Sequence, residues 1–188
     1  MIPYHYSFVY RVGKGGGRDL QQQFQQDYEA HSDAIFKYIY YLAGNKELAE
    51  DITQETFYKA FQHHHTYRQD ANTQTWLRRI ARNLVYDYFR RKKILQFIPF
   101  VHKESIRDEA MLPVEFLIKG EDFSAVFQAL YTIKLEYREA IILRYIEELS
   151  VKETSAQLGW SEAKVKNNTA RGLSALKKKL EEGGFVHG

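Results

Sequence analysis

No cysteine occurs in this chain, so disulfide scaffolds and Cys-ligated zinc sites are excluded and thiols say nothing about compartment. Long apolar runs are missing too. None approaches the roughly 20 residues needed to span a bilayer, and the N-terminus lacks the basic start and continuous apolar core of a signal peptide. A cytoplasmic protein that is not itself a membrane protein is the default expectation. There is no Gly-rich phosphate loop, no nucleophile elbow and no His-Glu zinc motif, so nothing points to an enzyme, a cofactor or a catalytic residue. Charge of one sign is also scarce: the formal net charge is only +3, which does not by itself demand a polyanion partner. Proline and glycine are modest, at 3 and 11 residues. With 44% apolar and 27% charged residues, the 188-residue chain has an ordinary globular composition and length for one or two domains.

What is present is charge unevenly placed. From Arg78 to Lys93 there are seven Lys or Arg against one Asp, whereas Glu47, Glu50, Asp51 and Glu55 crowd the preceding segment. Opposed patches suggest two different partners. The basic stretch, 75–93, places Leu77, Ile80, Ala81, Leu84, Val85 and Tyr88 at the spacing of one buried helical face. Arg79, Asn83, Tyr86, Arg90 and Lys93 fall on the other side, where Arg, Asn and an aromatic ring suit phosphates and bases. A solvated surface helix is the plainer alternative.

Residues 1–18 form an extension of uncertain role, in which Tyr4, Tyr6, Phe8 and Tyr10 alternate weakly before a glycine-rich tether. A long helix is expected from about Asp19, with Leu20, Phe24, Tyr28, Ile35, Ile39 and Leu42 as its apolar stripe. Gly44 and Asn45 end it, and Asn45 is a candidate N-cap for the next helix. That helix, from Lys46 to about His65, is expected to bury Leu48, Ile52, Thr56, Phe57 and Phe61. Its outer face would carry Glu47, Asp51, Gln54, Glu55 and Lys59. His63, His64 and His65 at its end point in different directions, which suits a helix C-terminus better than a metal site. A polar loop, 66–72, leads to the basic helix, and the three helices make an antiparallel bundle over 19–93.

Pro99 and Pro113 break the 94–120 stretch, which reads as a flexible linker although it is unusually apolar. A second domain, 121–183, follows, with a short tail at 184–188. Phe123, Val126, Phe127 and Leu130 mark one helix; Ala140, Ile141, Leu143 and Tyr145 mark another. Ser150 and Glu153 have capping-box spacing. Ala156, Gly159 and Val165 sit where a helix-turn-helix takes a small residue, a turn residue and a packing residue. The recognition helix would run from Ser161 to about Leu180. Val165, Thr169, Leu173, Leu176 and Leu180 would face inward, and Lys164, Asn167, Asn168, Arg171 and Lys178 outward. A plain helical hairpin is the alternative. The fold class is all-α: two small helical domains joined by an apolar linker.

Two blocks carry a resemblance. Asp51-Ile-Thr-Gln-Glu-Thr-Phe57, Tyr67-Arg-Gln-Asp70, Thr75 to Asn83 and Asp87-Tyr-Phe-Arg90 resemble region 2 of bacterial sigma factors, in the compact extracytoplasmic-function (ECF) form. Tyr137 to Tyr145, then Leu149-Ser150 and the helix-turn-helix, resemble region 4 of the same proteins. The resemblance implies a non-enzyme that acts with core RNA polymerase to direct promoter-specific initiation. Asp51, Gln54, Glu55 and Phe57 would dock on the polymerase clamp coiled coil, and region 4 on the flap. Tyr67, Asp70, Asn72, Trp76, Arg79, Asn83 and Arg90 would engage the −10 element, duplex and then single-stranded, where rings and amides meet bases and Arg meets phosphate. Trp76 has a competing role packing into the bundle, and Asn72 is the better candidate for cradling an extruded base. Ser161, Lys164, Lys166, Asn167, Asn168 and Arg171 would engage the −35 element. Such factors are usually held inactive by an anti-sigma factor, often membrane-bound.

Here the chain departs from the common pattern. Where many relatives read Gly-x-Ser-x-Gly-Thr-Val-Lys-Ser-Arg, this chain reads Gly159-Trp-Ser-Glu-Ala-Lys-Val-Lys-Asn-Asn168. Lys164 replaces Thr, Asn168 replaces Arg, and Leu173 stands where Arg is frequent. A shifted −35 preference, with adenine contacts from Asn167 and Asn168, is the expectation. The competing function is a stand-alone helix-turn-helix regulator of duplex operators, which would need neither the acidic helix nor the 67–72 loop.

Overall fold

The computed structural model describes residues 18–64, 72–95 and 121–182. Among them every regular element is a helix, as the apolar periodicities require: α1 (Arg18–Ala43), α2 (Lys46–Gln62), α3 (Thr73–Leu95), α4 (Glu121–Thr132), α5 (Leu135–Ile141), α6 (Val151–Leu158) and α7 (Glu162–Glu182). They divide between two compact units. The first contains 18–39 and 47–95, and the second contains 40–46 and 121–182. Residues 1–17, the 66–71 part of the predicted loop, 96–120 of the predicted linker and the tail lie outside the described residues.

In the first unit an aromatic cluster joins α1 to α2. The Phe24 ring meets Phe57 edge-on at 6.2 Å and Phe61 at 5.2 Å, and Tyr28 meets Phe57 at 4.7 Å. Such edge-to-face pairs add to the burial of large rings. Two threonines enter this apolar face without orphaned hydroxyls, because Thr53 donates to the Ala49 carbonyl and Thr56 to that of Ile52. The α2 helix stops at Gln62 rather than His65. His63 N–H still bonds to the Lys59 carbonyl, while the His64 ring nitrogen Nδ1 turns back to the Phe61 carbonyl. On α3 the buried face is Leu77, Ala81 and Val85, with Ile80, Leu84 and Tyr88 at its half-buried margins. Arg78 is also buried on this face and lies over the Tyr38 ring.

In the second unit α7 packs against α5 at a glycine. A Cβ on Gly172 would come within 3.0 Å of Ile141 Cδ1 and 3.2 Å of the Tyr137 carbonyl oxygen, so the helices approach where a side chain is missing. Arg138, only 6% exposed, supplies the unit with buried donors. Its guanidinium donates to the carbonyls of Leu130 (3.1 Å), Tyr131 (2.6 Å) and Leu42 (2.6 Å), and stacks over the Tyr131 ring. These carbonyls end α4 and α1, where helices leave acceptors without intrahelical partners. Burial pushes the Tyr131 hydroxyl well above the usual phenol range.

After α5 the backbone widens into a π-turn, Ile142–Ile146. Tyr145, one of the residues that mark this helix in the sequence, is 58% exposed there, because the extra residue in the turn moves it off the α-helical face of Ile141.

Candidate nucleic-acid interface

The second unit builds a helix-turn-helix from local rules. Ser150 Oγ accepts from Glu153 N–H, and the Glu153 carboxylate accepts from Ser150 N–H, a reciprocal box that starts α6. The hydrogen bond from Ser150 holds the Glu153 carboxyl below the usual carboxylate range. A depressed pKa means that this stabilisation is present once the carboxylate is ionised and fades as acid protonates it. Gly159 ends α6 in the left-handed region at φ +65°, where a Cβ would be strained. Ser161 Oγ then accepts from Lys164 N–H and opens the recognition helix α7. Val165 is fully buried against this turn, as expected, but Ala156 is exposed rather than packed.

Lys164, Lys166, Asn167 and Arg171 are exposed along one side of α7, with Ser161 exposed at its start. Asn168 is not: it is 7% exposed, and its Nδ2 has no hydrogen-bond partner. The inward face of α7 is Val165, Asn168, Gly172 and Leu176, a strict three-and-four spacing that turns Asn168 in and leaves Leu173 37% exposed. The expected Asn168 base contact and the expected burial of Leu173 are therefore both corrected. Lys164 has two neighbours that the sequence did not single out. Its Nζ lies 4.3 Å from the centre of the Trp160 ring and 3.6 Å from Glu136 Oε1.

On the first unit, α3 presents Arg79, Asn83, Arg90 and Lys93 to solvent. Arg90 is paired with Asp87 at 2.8 Å, and Arg82, outside the predicted set, stacks on Tyr86 at 4.4 Å. That pair was legible as an i, i+4 cation–aromatic spacing. Trp76 is half-buried, consistent with either of its two proposed roles. Asn72 has a structural job: its Oδ1 accepts from Gln74 N–H at 2.9 Å and its carbonyl accepts from Trp76 N–H, making it the N-cap of α3. Replacing Asn72 with alanine should cost about 1 kcal/mol of first-unit stability, whereas serine should largely restore it. Thermal unfolding followed by Trp76 fluorescence in a Trp160→Phe background checks both. Tyr67 and Asp70 lie outside the described residues.

The acidic face of α2 is exposed at Asp51 and Glu55, with Glu55 3.7 Å from Lys59, and Gln54 lines a small cavity with Tyr28, Asp33, Phe36 and Glu50. Phe57, predicted with them as a docking residue, has no exposed surface. It faces α1 because it follows Thr53 by four residues on the inner side of the helix. No group of three or more His, Asp or Glu able to hold a metal occurs among the described residues, and no described helix is long and apolar enough to cross a membrane.

A unit with a basic, aromatic helix and a second with a capped helix-turn-helix together define a DNA-binding protein of transcription. Comparison with known proteins makes this specific. The family model for sigma-70 region 2 matches residues 27–94, and that for sigma-70 region 4 matches 125–176. The chain is 31% identical over 167 residues to the ECF RNA polymerase sigma factor SigX of Bacillus subtilis (strain 168), covering 86% of each protein. It is 30% identical over 170 residues to SigW of the same organism, covering 86% of this chain and 91% of that one. Among solved structures, the sigma factor RpoE in complex with the anti-sigma factor NepR from Bartonella quintana matches with a TM-score of 0.69 at 25% identity, over 85% of this chain and 98% of that one. The chain belongs to the ECF RNA polymerase sigma factors.

Proposed function

We propose that this sigma factor divides initiation between its two units. The exposed carboxylates of α2, Asp51 and Glu55, with Gln54 beside them, dock on basic side chains of the polymerase clamp coiled coil. The exposed side of α3 and the segment holding Tyr67 and Asp70 hold the opened −10 strand, with Arg79 and Arg90 on phosphates and Asn83 on a base edge. The α7 helix enters the −35 major groove, where Lys164 and Asn167 reach bases and Lys166 and Arg171 meet phosphate. The observation that carries this reading is the exposure of the basic and amide side chains along one side of a properly capped recognition helix. Control by an anti-sigma factor is part of the reading, supported by the NepR complex of the Bartonella relative. The site of action is the cytoplasm, where the polymerase is.

Run-off transcription with purified core RNA polymerase on a promoter library tests the whole. Initiation that depends on the protein and enriches defined −35 and −10 elements is expected. Tight binding to a duplex palindrome without initiation would replace this reading with that of a stand-alone operator-binding regulator. The docking face has its own test. Asp51→Ala combined with Glu55→Ala should weaken core-polymerase binding roughly tenfold or more while leaving thermal unfolding within about 0.5 kcal/mol, since both side chains are exposed. A titration in which the double variant binds like the parent would remove these carboxylates from the interface.

A further inference from the structure

The three elements that converge at the start of α7 assign a role that neither the family match nor the sequence pattern supplies. Lys164 lies on the first turn of the recognition helix, Trp160 in the turn before it, and Glu136 on the first turn of α5. The Lys164 ammonium sits over the Trp160 ring at 4.3 Å and beside the Glu136 carboxylate at 3.6 Å. Both charged side chains remain close to half exposed, at 45% and 49%. A pair this open restrains without locking, because solvent screens it. The lysine can therefore still reach the groove.

We propose that Glu136 and Trp160 are positioning residues that set −35 base preference by aiming Lys164. This rests on the reading of α7 as the −35 recognition helix. A free lysine is a point charge on a flexible stem and settles on any nearby phosphate, which carries no sequence information. With Glu136 beside it, the approach of a phosphate brings two negative groups together, whereas a neutral base-edge acceptor meets no such repulsion. The carboxylate thus discriminates by penalising the wrong contact, at some expense in total affinity. The Trp160 ring limits the directions the stem can take.

The test uses the full chain assembled with core RNA polymerase and two fluorescent promoter duplexes, one carrying the preferred −35 element and one with that element scrambled. Glu136→Gln should tighten binding to the scrambled duplex and lower the preferred-to-scrambled ratio roughly three- to tenfold. The salt dependence on the scrambled duplex should steepen by about one phosphate contact, a slope change of ~0.9. In a Lys164→Ala background, Glu136→Gln should tighten both duplexes alike and leave the ratio where Lys164→Ala put it. An unchanged ratio with Glu136→Gln alone, or an equal fall in both backgrounds, would overturn the proposal, since Glu136 would then not act through Lys164. A parent protein with no preference between the duplexes would overturn the −35 reading itself, and that result appears before any variant is made.

Discussion

Replacing Arg138 with methionine is expected to destabilise the second unit by about 3–5 kcal/mol, most of the stability of a unit that size. Methionine keeps much of the stem volume, so the loss isolates the guanidinium. That group satisfies the Leu130, Tyr131 and Leu42 carbonyls together, in a site where water does not replace it. Each buried acceptor left without a donor costs roughly 1–3 kcal/mol, and the three losses share one site, so they do not simply add. Arg138→Lys should recover less than half of the effect. An ammonium is one compact donor head and cannot span three carbonyls as the planar fork does. The chain has only two tryptophans, one in each unit, which makes the measurement clean. In a Trp76→Phe background, Trp160 fluorescence reports chemical unfolding of the second unit alone. A shift below about 1 kcal/mol for the methionine variant would show that the carbonyls find other partners.

The second large effect concerns Phe57, which family resemblance placed at the polymerase interface and the structure places in the core. Phe57→Ala should cost about 3–5 kcal/mol, the usual range for removing a buried aromatic side chain and leaving a cavity. The ring is fully buried against Phe24 and Tyr28, so the surrounding helices cannot collapse onto the gap without moving α1. Trp76 fluorescence in a Trp160→Phe background should follow the loss. Polymerase binding should fall only in step with the folded fraction. At a temperature where the variant remains folded, its affinity for core polymerase should match the parent's. A tenfold weaker complex under those conditions would return Phe57 to the interface. The contrast with the Asp51 and Glu55 double variant would separate the proposed polymerase contacts from residues that only hold α2 in place.

Much of this was legible in the chain because it follows from nearest-neighbour rules. The Ser150–Glu153 box, the left-handed Gly159 and the Leu77, Ala81 and Val85 stripe depend only on residues within a turn or two. Their hydrogen bonds and periodicities are local, so composition and spacing suffice. The exposure of Asp51 and Glu55 was legible for the same reason: an exposed face of one helix needs no partner to be recognised.

What needed the tertiary structure is every case in which a distant element decided a side chain's fate. Asn168 reads as an outward amide, grouped on one face with Lys164, Asn167, Arg171 and Lys178. Yet Val165, Gly172 and Leu176 fix which side of α7 meets α5, and Asn168 shares that side. Gly172 reads as an ordinary helical glycine until Tyr137 and Ile141 are brought against it. Nothing in the spacing marks Arg138 as a buried donor; carbonyls at the ends of α4 and α1 make it one. Lys164 reads as a free base-contacting residue until α5 brings Glu136 beside it. Helical periodicity determines that a face exists and roughly how wide it is. Which face is buried, and which charges become paired, is decided by close packing between elements far apart in the chain, where a shift of one position on the helix turns a side chain by about 100°.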